Sequence, residues 1–499
     1  MNDSIDSGTL FKLWNLESGV FMATDAGIEP KLGAVFHKPS WWEALAQPSR
    51  AQIIVGVRGT GKSTICQCLF DRLSSIAFTA YLANYGPEYN GKALPIKINK
   101  DTQAWASNPN DEQETRNRLV VLIVQMITYK IIREFNTEEL KSKLLKKELQ
   151  QIDRYLKSAS EQVETFEDKT ELRKKVCNRI TKATLNLKTT VNFPDIQSID
   201  IKILKLKNPK TSTITEIDLQ TIITIAKKLG YVAIYILVDE IDEYNNPGGG
   251  NIQKIENTTK LLNTLLTSQA LLETPLLIFK IFMPEPVYHT LRRTSEMRQD
   301  RWPKPYMLAW QPDDIKAMLE KRLRQYTCAN TDDVEIPPIT SMTQFCDSNE
   351  NFAKPIDDII AEYAFRSPRH YIRLCGDIAN LVAEKGTGQV PKITKQILDD
   401  VLLSFCKDIC RELYDKYIEG ASNTIIKYNK IEFTEDQIID DNGGEAHKEK
   451  IQSILNIISV SSGLDRIEDA TGSRYIVMDP RLIYLMRQNT EKPNSGLLR

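Results

Sequence analysis

Short unbroken apolar runs alternate along the chain with longer amphipathic ones, the pattern of buried strands set between helices. AQIIV at 51–55 and YVAIYILV at 231–238 read as buried core strands, and IAFTAYLAN at 76–84 reads as a second core strand after the helix TICQCLFDRL. The run LVVLIVQMITYKII at 119–132 is broken by Lys130 and falls short of the roughly 20 residues a membrane span needs, so it predicts a buried helix. Leu145, Leu149, Ile152, Leu156, Ala159, Val163 and Phe166 recur in steps of four and three, a heptad seam. After a break at 167–171, Leu172, Val176 and Ile180 predict a return helix. The resulting antiparallel arm either carries a partner or packs on its own domain. VNFPDIQSIDIKILKLK at 191–207 alternates like a hairpin or edge strand. Its Lys202, Lys205 and Lys207, with Lys210, either track a phosphate backbone or guard an exposed sheet edge. Thr215, with Asp218 three residues on, opens a helix that closes at Gly230, and 252–272 form the next helix.

A chain of 499 residues has room for about three domains. Its 65 Lys and Arg against 66 Asp and Glu exclude a generally polybasic nucleic-acid binder and leave only a local basic patch open. The first residues, MNDSIDSGTLFKLWNL, lack a basic stretch followed by an apolar one, so the expectation is a cytoplasmic protein without a membrane anchor. Eight cysteines, at 66, 68, 177, 328, 346, 375, 406 and 410, have neither metal-site spacing nor the density of a disulfide scaffold. They read as small buried apolar residues.

The candidate chemistry lies at GVRGTGKS, 56–63, between the first strand and the first helix. Gly56, Gly59 and Gly61 let the backbone wrap an anion with its N–H groups inward, and the helix beginning near Lys62 adds its positive end. Gly56, Arg58, Gly59, Thr60, Gly61, Lys62, Ser63 and Thr64 form the candidate nucleotide-binding set. Lys62 would reach the β- and γ-phosphates, Ser63 would ligand Mg²⁺, and Thr64 would contact the α-phosphate side. The strand at 231–238 runs into Asp239-Glu240, the pattern of a metal-binding carboxylate followed by a general base. Asp239 would hold Mg²⁺, Glu240 would deprotonate the attacking water, and Asp242 and Glu243 are solvated or lie outside the ion's inner ligands. NNPGGGN at 245–251 either gates the site or simply connects. ATP with Mg²⁺ is the expected ligand.

Together these residues resemble the AAA+/STAND branch of P-loop ATPases, specifically the bacterial ATPases similar to the origin-recognition group, some of them linked to phage defence. The resemblance continues in LLIFKIFMPEPVYHTL (276–291), PYMLAW (305–310), DDIKAMLEKRLRQY (313–326) and RSPRHYIRLCGDI (366–378). It implies a sensor-1 strand, the last core strand, the start of a helical lid, and a sensor-2 segment. The implied fold is α/β: an N-terminal segment (1–45), a three-layer parallel-sheet ATPase core (46–311) with a largely helical insertion (86–213), a helical lid (312–386), and a winged-helix-like C-terminal domain (392–491).

Arg369 is the implied sensor-2 residue, a catalytic candidate reaching the γ-phosphate, with Arg366 and Arg373 beside it. Where many relatives place a polar or arginine sensor-1 residue, this chain has Met283-Pro284-Glu285, with Lys280 and Glu285 the nearest polar groups. Arg292, Arg293, Arg298 and Arg301 are arginine-finger candidates or solvated surface residues. Trp41 or Trp42 lines the base pocket, or both pack in the core.

Between Glu445 and Arg487 six basic residues (Lys448, Lys450, Arg466, Arg474, Arg481, Arg487) stand against six acidic ones (Glu445, Glu449, Asp465, Glu468, Asp469, Asp479), a balance at least as suited to partner docking as to DNA. The expected activity is an ATP-hydrolysing switch that couples nucleotide state to a homo-oligomer, an effector protein or a nucleic acid. The alternatives are a nucleotide-gated scaffold with little turnover and an ATP-dependent DNA-binding loader.

Overall fold

The computed structural model describes residues 5–22, 29–48, 51–57, 59–98, 111–162, 214–239, 262–294, 303, 305–328, 337–386, 389–416, 418–469 and 472–491. Five parallel strands form the central sheet: β1 (Gln52–Gly56), β2 (Lys92–Ile98), β3 (Tyr231–Val238), β4 (Leu277–Pro284) and β5 (Pro305–Met307). Their order is β2-β3-β4-β1-β5, so β1 lies between β4 and β5, with β3 one strand further on.

Strand alternation divides the core between the two faces of the sheet. Ile54, Tyr235, Leu237 and Phe282 face the helices α2 (Lys62–Leu73) and α3 (Ile76–Ala83) and the N-terminal segment that begins with α1 (Ser7–Leu13). Ile53, Val55, Ile234, Ile236, Phe279 and Ile281 share the other core with α4 (Glu112–Glu134), α5 (Lys146–Gln162), α6 (Glu216–Lys228) and α7 (Glu285–Thr294). The architecture is therefore α/β, a three-layer P-loop-type core.

One strand expectation fails. Residues 76–84 do not form a strand; Ile76–Ala83 is the helix α3, with Phe78 and Leu82, four residues apart, buried on one side. An apolar stretch this short satisfies either period, and the packing of Phe78 against Tyr235 selects the helix. The sheet position goes to KALPIKI, 92–98, which the sequence assigned to the insertion at 86–213, so the chain stays in the core as far as Ile98. Pro95 disguises this strand, and among the described residues β2 pairs only with β3, an edge position where a missing N–H is tolerated.

The apolar run 119–132 lies within α4, capped by Asp111, which accepts from the Glu114 backbone N–H. Helix α5 rests on its own domain: Ile152 and Tyr155 are buried, Tyr155 donates to Asp218 Oδ1 at 3.0 Å, and Lys228 reaches Glu148 at 2.5 Å. Leu145, the first position of the heptad seam, is exposed. The rest of the seam beyond α5, the return helix and the lysines at 202–210 lie outside the described residues. The expected capping box at Thr215 and Asp218 opens α6, and Gly230 follows it with φ +94°.

Beyond β5 come α8 (Pro312–Tyr326), α9 (Ile356–Ala364), α10 (Pro368–Lys385) and α11 (Lys395–Cys410). These are followed by α12 (Ala421–Tyr428), α13 (Glu435–Asp441), α14 (Lys448–Val460) and α15 (Pro480–Glu491), which pack with a three-stranded antiparallel sheet. That sheet has the order β6-β8-β7, formed by β6 (Glu432–Thr434), β7 (Leu464–Asp469) and β8 (Gly472–Val477). Apolar packing runs unbroken from the α2 face of the central sheet through these helices to Met486.

The N-terminal segment spans two layers. Trp14 stacks on Phe345 with ring centres 4.1 Å apart and donates to the Pro391 carbonyl, and Arg322 of α8 pairs with Glu29 at 2.5 Å. Trp42 and Leu45, further along the same segment, are buried in the shared core. Cys66, Cys68, Cys375, Cys406 and Cys410 are buried, and desolvation pushes the Cys68 thiol up to about 12. No described helix is long and apolar enough to cross a membrane.

Lys280 occupies the middle of β4, fully buried, where its Nζ donates to the Gln47 carbonyl at 3.1 Å and to Gln52 Oε1 at 2.5 Å. Desolvation pulls its pKa down from the usual 10.5 to about 7. Between those values the unfolded chain holds a proton that the folded one lacks, so this group makes stability rise with pH across the window, by about 1.4 kcal/mol per unit. Denaturant unfolding from pH 7.5 to 9.5 is expected to show wild type gaining about 2–3 kcal/mol relative to Lys280→Met. Parallel curves for the two proteins would refute a neutral buried lysine.

Candidate functional site

The loop between β1 and α2 has the shape its glycines predict. Gly59 and Gly61 adopt φ of +87° and +79°, a region costly to residues with a Cβ. Thr60 is buried between them, with its hydroxyl donating to the Val57 carbonyl at 2.8 Å. Lys62 opens α2, and its Nζ donates to the carbonyls of Gly56 and Val57, both at 3.1 Å, which holds the ammonium within the loop's own curve. Thr64 lies in the first turn of α2.

Sheet order delivers the second half of the site. Asp239 follows β3, its backbone N–H bonded to the Ile98 carbonyl, and the Ser63 hydroxyl donates to its Oδ1 at 3.4 Å across 176 residues of sequence. The Asp239 side chain is almost wholly buried, with Lys97 Nζ 3.6 Å from Oδ2. Mg²⁺ takes oxygen ligands at about 2.0–2.1 Å, which places neighbouring ligands of an octahedron roughly 3 Å apart. A hydroxyl and a carboxylate at this separation fit that ion, with phosphate oxygens and water completing the shell. Arg58 and Glu240 lie outside the described residues, as do Asp242, Glu243, 245–251, Arg298 and Arg301.

A second helix N-terminus closes on the loop. Phe365 and Arg366 both have positive φ, +42° and +63°, and this reversal turns the chain into Ser367, whose hydroxyl caps α10 by accepting from the His370 N–H at 3.2 Å. The Arg369 N–H then donates to the Gly59 carbonyl at 3.3 Å. A Cβ added to Gly59 would collide with Ser367 Oγ and come within 3.5 Å of His370 Nε2, so glycine there also admits α10. Two helix N-termini therefore flank one glycine loop, an arrangement that favours a bound anion.

Arg369 is thus brought to the loop. Arg373 is not: it faces Asp377, Asp408 and Glu412 at 3.5–3.7 Å. Arg366 is exposed and lies over the Phe365 ring. Lys280 is removed from any sensor-1 role, because its amine is directed to Gln47 and Gln52 at the start of β1 rather than to the loop beyond β1's other end. Glu285 receives the Ser462 hydroxyl at 3.1 Å, so the position just after β4 is engaged by the C-terminal region. Arg292 is exposed and stacks on Tyr288. Trp42 is a core residue beside Phe36, whereas Trp41 lies against Tyr306 and Trp310.

Sequence reasoning missed three groups. Trp310, the last residue of PYMLAW, donates its indole N–H to the Thr60 carbonyl at 2.8 Å. Lys97 was hidden because its strand was assigned elsewhere. Ser367 and His370 carried a usable signal, since Ser-Pro is a helix-start signature that puts the following residues at a helix N-terminus.

No family model matches the sequence, and neither does any curated protein. Among solved structures, the chain is similar to the Aeropyrum pernix ORC2 protein in its ADPNP–ADP complexes, at 11% identity over 93% of this chain and 98% of that one, with a TM-score of 0.41. It is also similar to the Thermotoga maritima RuvB Holliday junction branch migration motor, at 10% identity over 91% and 92% of the two chains, with a TM-score of 0.29. These are distant likenesses of overall shape.

Proposed function

We propose that the protein binds ATP with Mg²⁺ between the β1–α2 loop and the N-terminus of α10 and hydrolyses it, as a nucleotide switch of AAA+/STAND type. The observation that carries this reading is the approach of Ser63 to Asp239 at 3.4 Å, with Lys62 held in the same loop, which supports a phosphate cradle with a metal-binding oxygen pair drawn from distant parts of the chain. Lys62 neutralises the β- and γ-phosphate charge, and the loop N–H groups orient the polyphosphate. Ser63 and Asp239 would hold Mg²⁺, which would supply neutralising charge to the phosphates. Glu240 takes the proton of the attacking water, and Arg369, anchored to Gly59 through its backbone, reads the γ-phosphate.

The helices 312–386 act as the lid and 392–491 as a winged-helix-like output. Three arginines of that output are already paired: Arg474 with Glu432, Arg466 with Glu468 and Arg481 with Asp479. That favours a protein partner, another copy of this chain or an effector, over DNA. A second reading, a scaffold with little turnover, is favoured by the Ser462–Glu285 contact, which engages the position where a sensor-1 residue would act.

The test is phosphate release and calorimetric ATP binding by the full chain, with and without Mg²⁺ and with single-stranded DNA, duplex DNA or RNA. Mg²⁺-dependent turnover supports the switch, and stimulation by one nucleic acid would make that acid the partner. Tight ATP binding without turnover transfers the reading to the scaffold. Failure to bind ATP or ADP overturns both.

A further inference from the structure

His370 faces in two directions. Its Nε2 faces Gly59, 3.5 Å from where a Cβ on that residue would stand, and its Nδ1 lies 3.1 Å from Nη1 of Arg481, the second residue of α15. A guanidinium carries donors only, so Nδ1 must be the acceptor of that bond. The imidazole is then neutral, with its single N–H on Nε2, on the side of the phosphate loop.

Arg481 is itself held in place. Its Nε and Nη2 form a two-pronged pair with Asp479 at 2.8 and 2.7 Å, and its backbone N–H donates to the same carboxylate at 2.8 Å. Asp479 also accepts from the Tyr414 hydroxyl at 2.5 Å. Burial alone would lower the Arg481 pKa, and the Asp479 carboxylate more than reverses it, so the cation is fixed. The guanidinium lies over the Phe365 ring, 5.4 Å from its centre. It therefore touches both the reversal that aims α10 at the loop and the histidine that meets the loop.

We propose that His370 is a positioning residue of the phosphate loop, fixed by Arg481 as the Nε2–H form, and that this pair couples nucleotide occupancy of the loop to the seating of the C-terminal region. The proposal rests on the nucleotide reading above and adds the route by which a loop event reaches α15. Because coupling between binding events is reciprocal, a seated Arg481 tightens the loop for nucleotide to the degree that nucleotide secures Arg481. The link is short-range and discrete: one ring set between the Gly59 side of the loop and a buried ion pair, with Phe405 edge-on to it at 6.2 Å.

The chain has only four histidines, so protein labelled with ¹⁵N-histidine in a deuterated background gives a readable ring spectrum. The ring that disappears in His370→Asn should show the Nε2–H tautomer without nucleotide and should shift when ATP with Mg²⁺ or ADP is added. Nucleotide affinity should fall about tenfold in both His370→Asn, which keeps an oxygen acceptor for Arg481, and His370→Gln, which keeps an amide nearer the Nε2 position, a factor within the usual range of coupling energies. Melting curves identify a variant that merely unfolds, and the wild-type spectrum needs no variant to fold beyond the one used for assignment. An Nδ1–H or doubly protonated ring at pH 8 overturns the proposal. So does a ring unmoved by nucleotide in a protein that binds it, together with variants that bind within twofold of wild type. A wild-type protein that binds no nucleotide overturns the nucleotide reading and this proposal with it.

Discussion

Replacing Lys62 with alanine is expected to lower ATP turnover by about 10²–10³-fold, the usual effect of deleting one preorganised charge from a phosphate site. The ammonium is held by the Gly56 and Val57 carbonyls at 3.1 Å, within the loop that would hold the phosphates. Deletion removes both the charge that offsets polyphosphate repulsion and the donor to those two carbonyls, and nucleotide affinity should fall along with turnover. Glu240→Gln should separate the two effects, keeping ATP bound while hydrolysis stops, because it changes the proposed base and leaves Lys62, Ser63 and Asp239 in place. Filter binding and single-turnover phosphate release distinguish the cases. A Lys62→Ala protein that hydrolyses ATP at the wild-type rate would remove the loop from the reaction.

Arg481→Ala is expected to destabilise the fold by about 3–5 kcal/mol, the cost of leaving one partner of a buried ion pair uncompensated. Asp479 has no exposed surface, and the guanidinium supplies two of its side-chain donors, Nε and Nη2. The Tyr414 hydroxyl would remain, itself pushed far from ionising by burial and by that carboxylate. The double change Asp479→Asn with Arg481→Met removes both charges and should recover most of the loss, since buried ion pairs replaced by apolar groups of similar size are often neutral. Denaturant titration of the two variants against wild type measures both effects. Equal stability of Arg481→Ala and wild type would show that the pair is solvated.

The site was legible from the sequence to the extent that its chemistry is local. GVRGTGKS carries its meaning in eight consecutive residues, because glycines with positive φ, a helix start and a lysine are all needed within one turn. Asp239 could be read from a single apolar strand ending in an acid. The sensor-1 position was not legible: Lys280 in the middle of β4 and Glu285 just past its end are both polar, and only packing shows that one turns to Gln52 and the other to Ser462. The helix at 76–83 misled for a related reason, since eight largely apolar residues do not choose between periods until a neighbouring surface chooses for them.

By itself the sequence determined the α/β alternation, the glycine loop before the first core helix, the buried strand that ends at Asp239, the buried helix at 119–132 and the capping box at Thr215, each a short-range pattern of burial, backbone freedom or charge. Tertiary structure alone decided the strand order that brings Ser63 to Asp239, the choice of 92–98 over 76–84 for the sheet, and the meeting of Gly59, His370 and Arg481. Those contacts join residues up to hundreds of positions apart, and the free energy that selects among them comes from burying whole faces together, a quantity no local window of sequence contains.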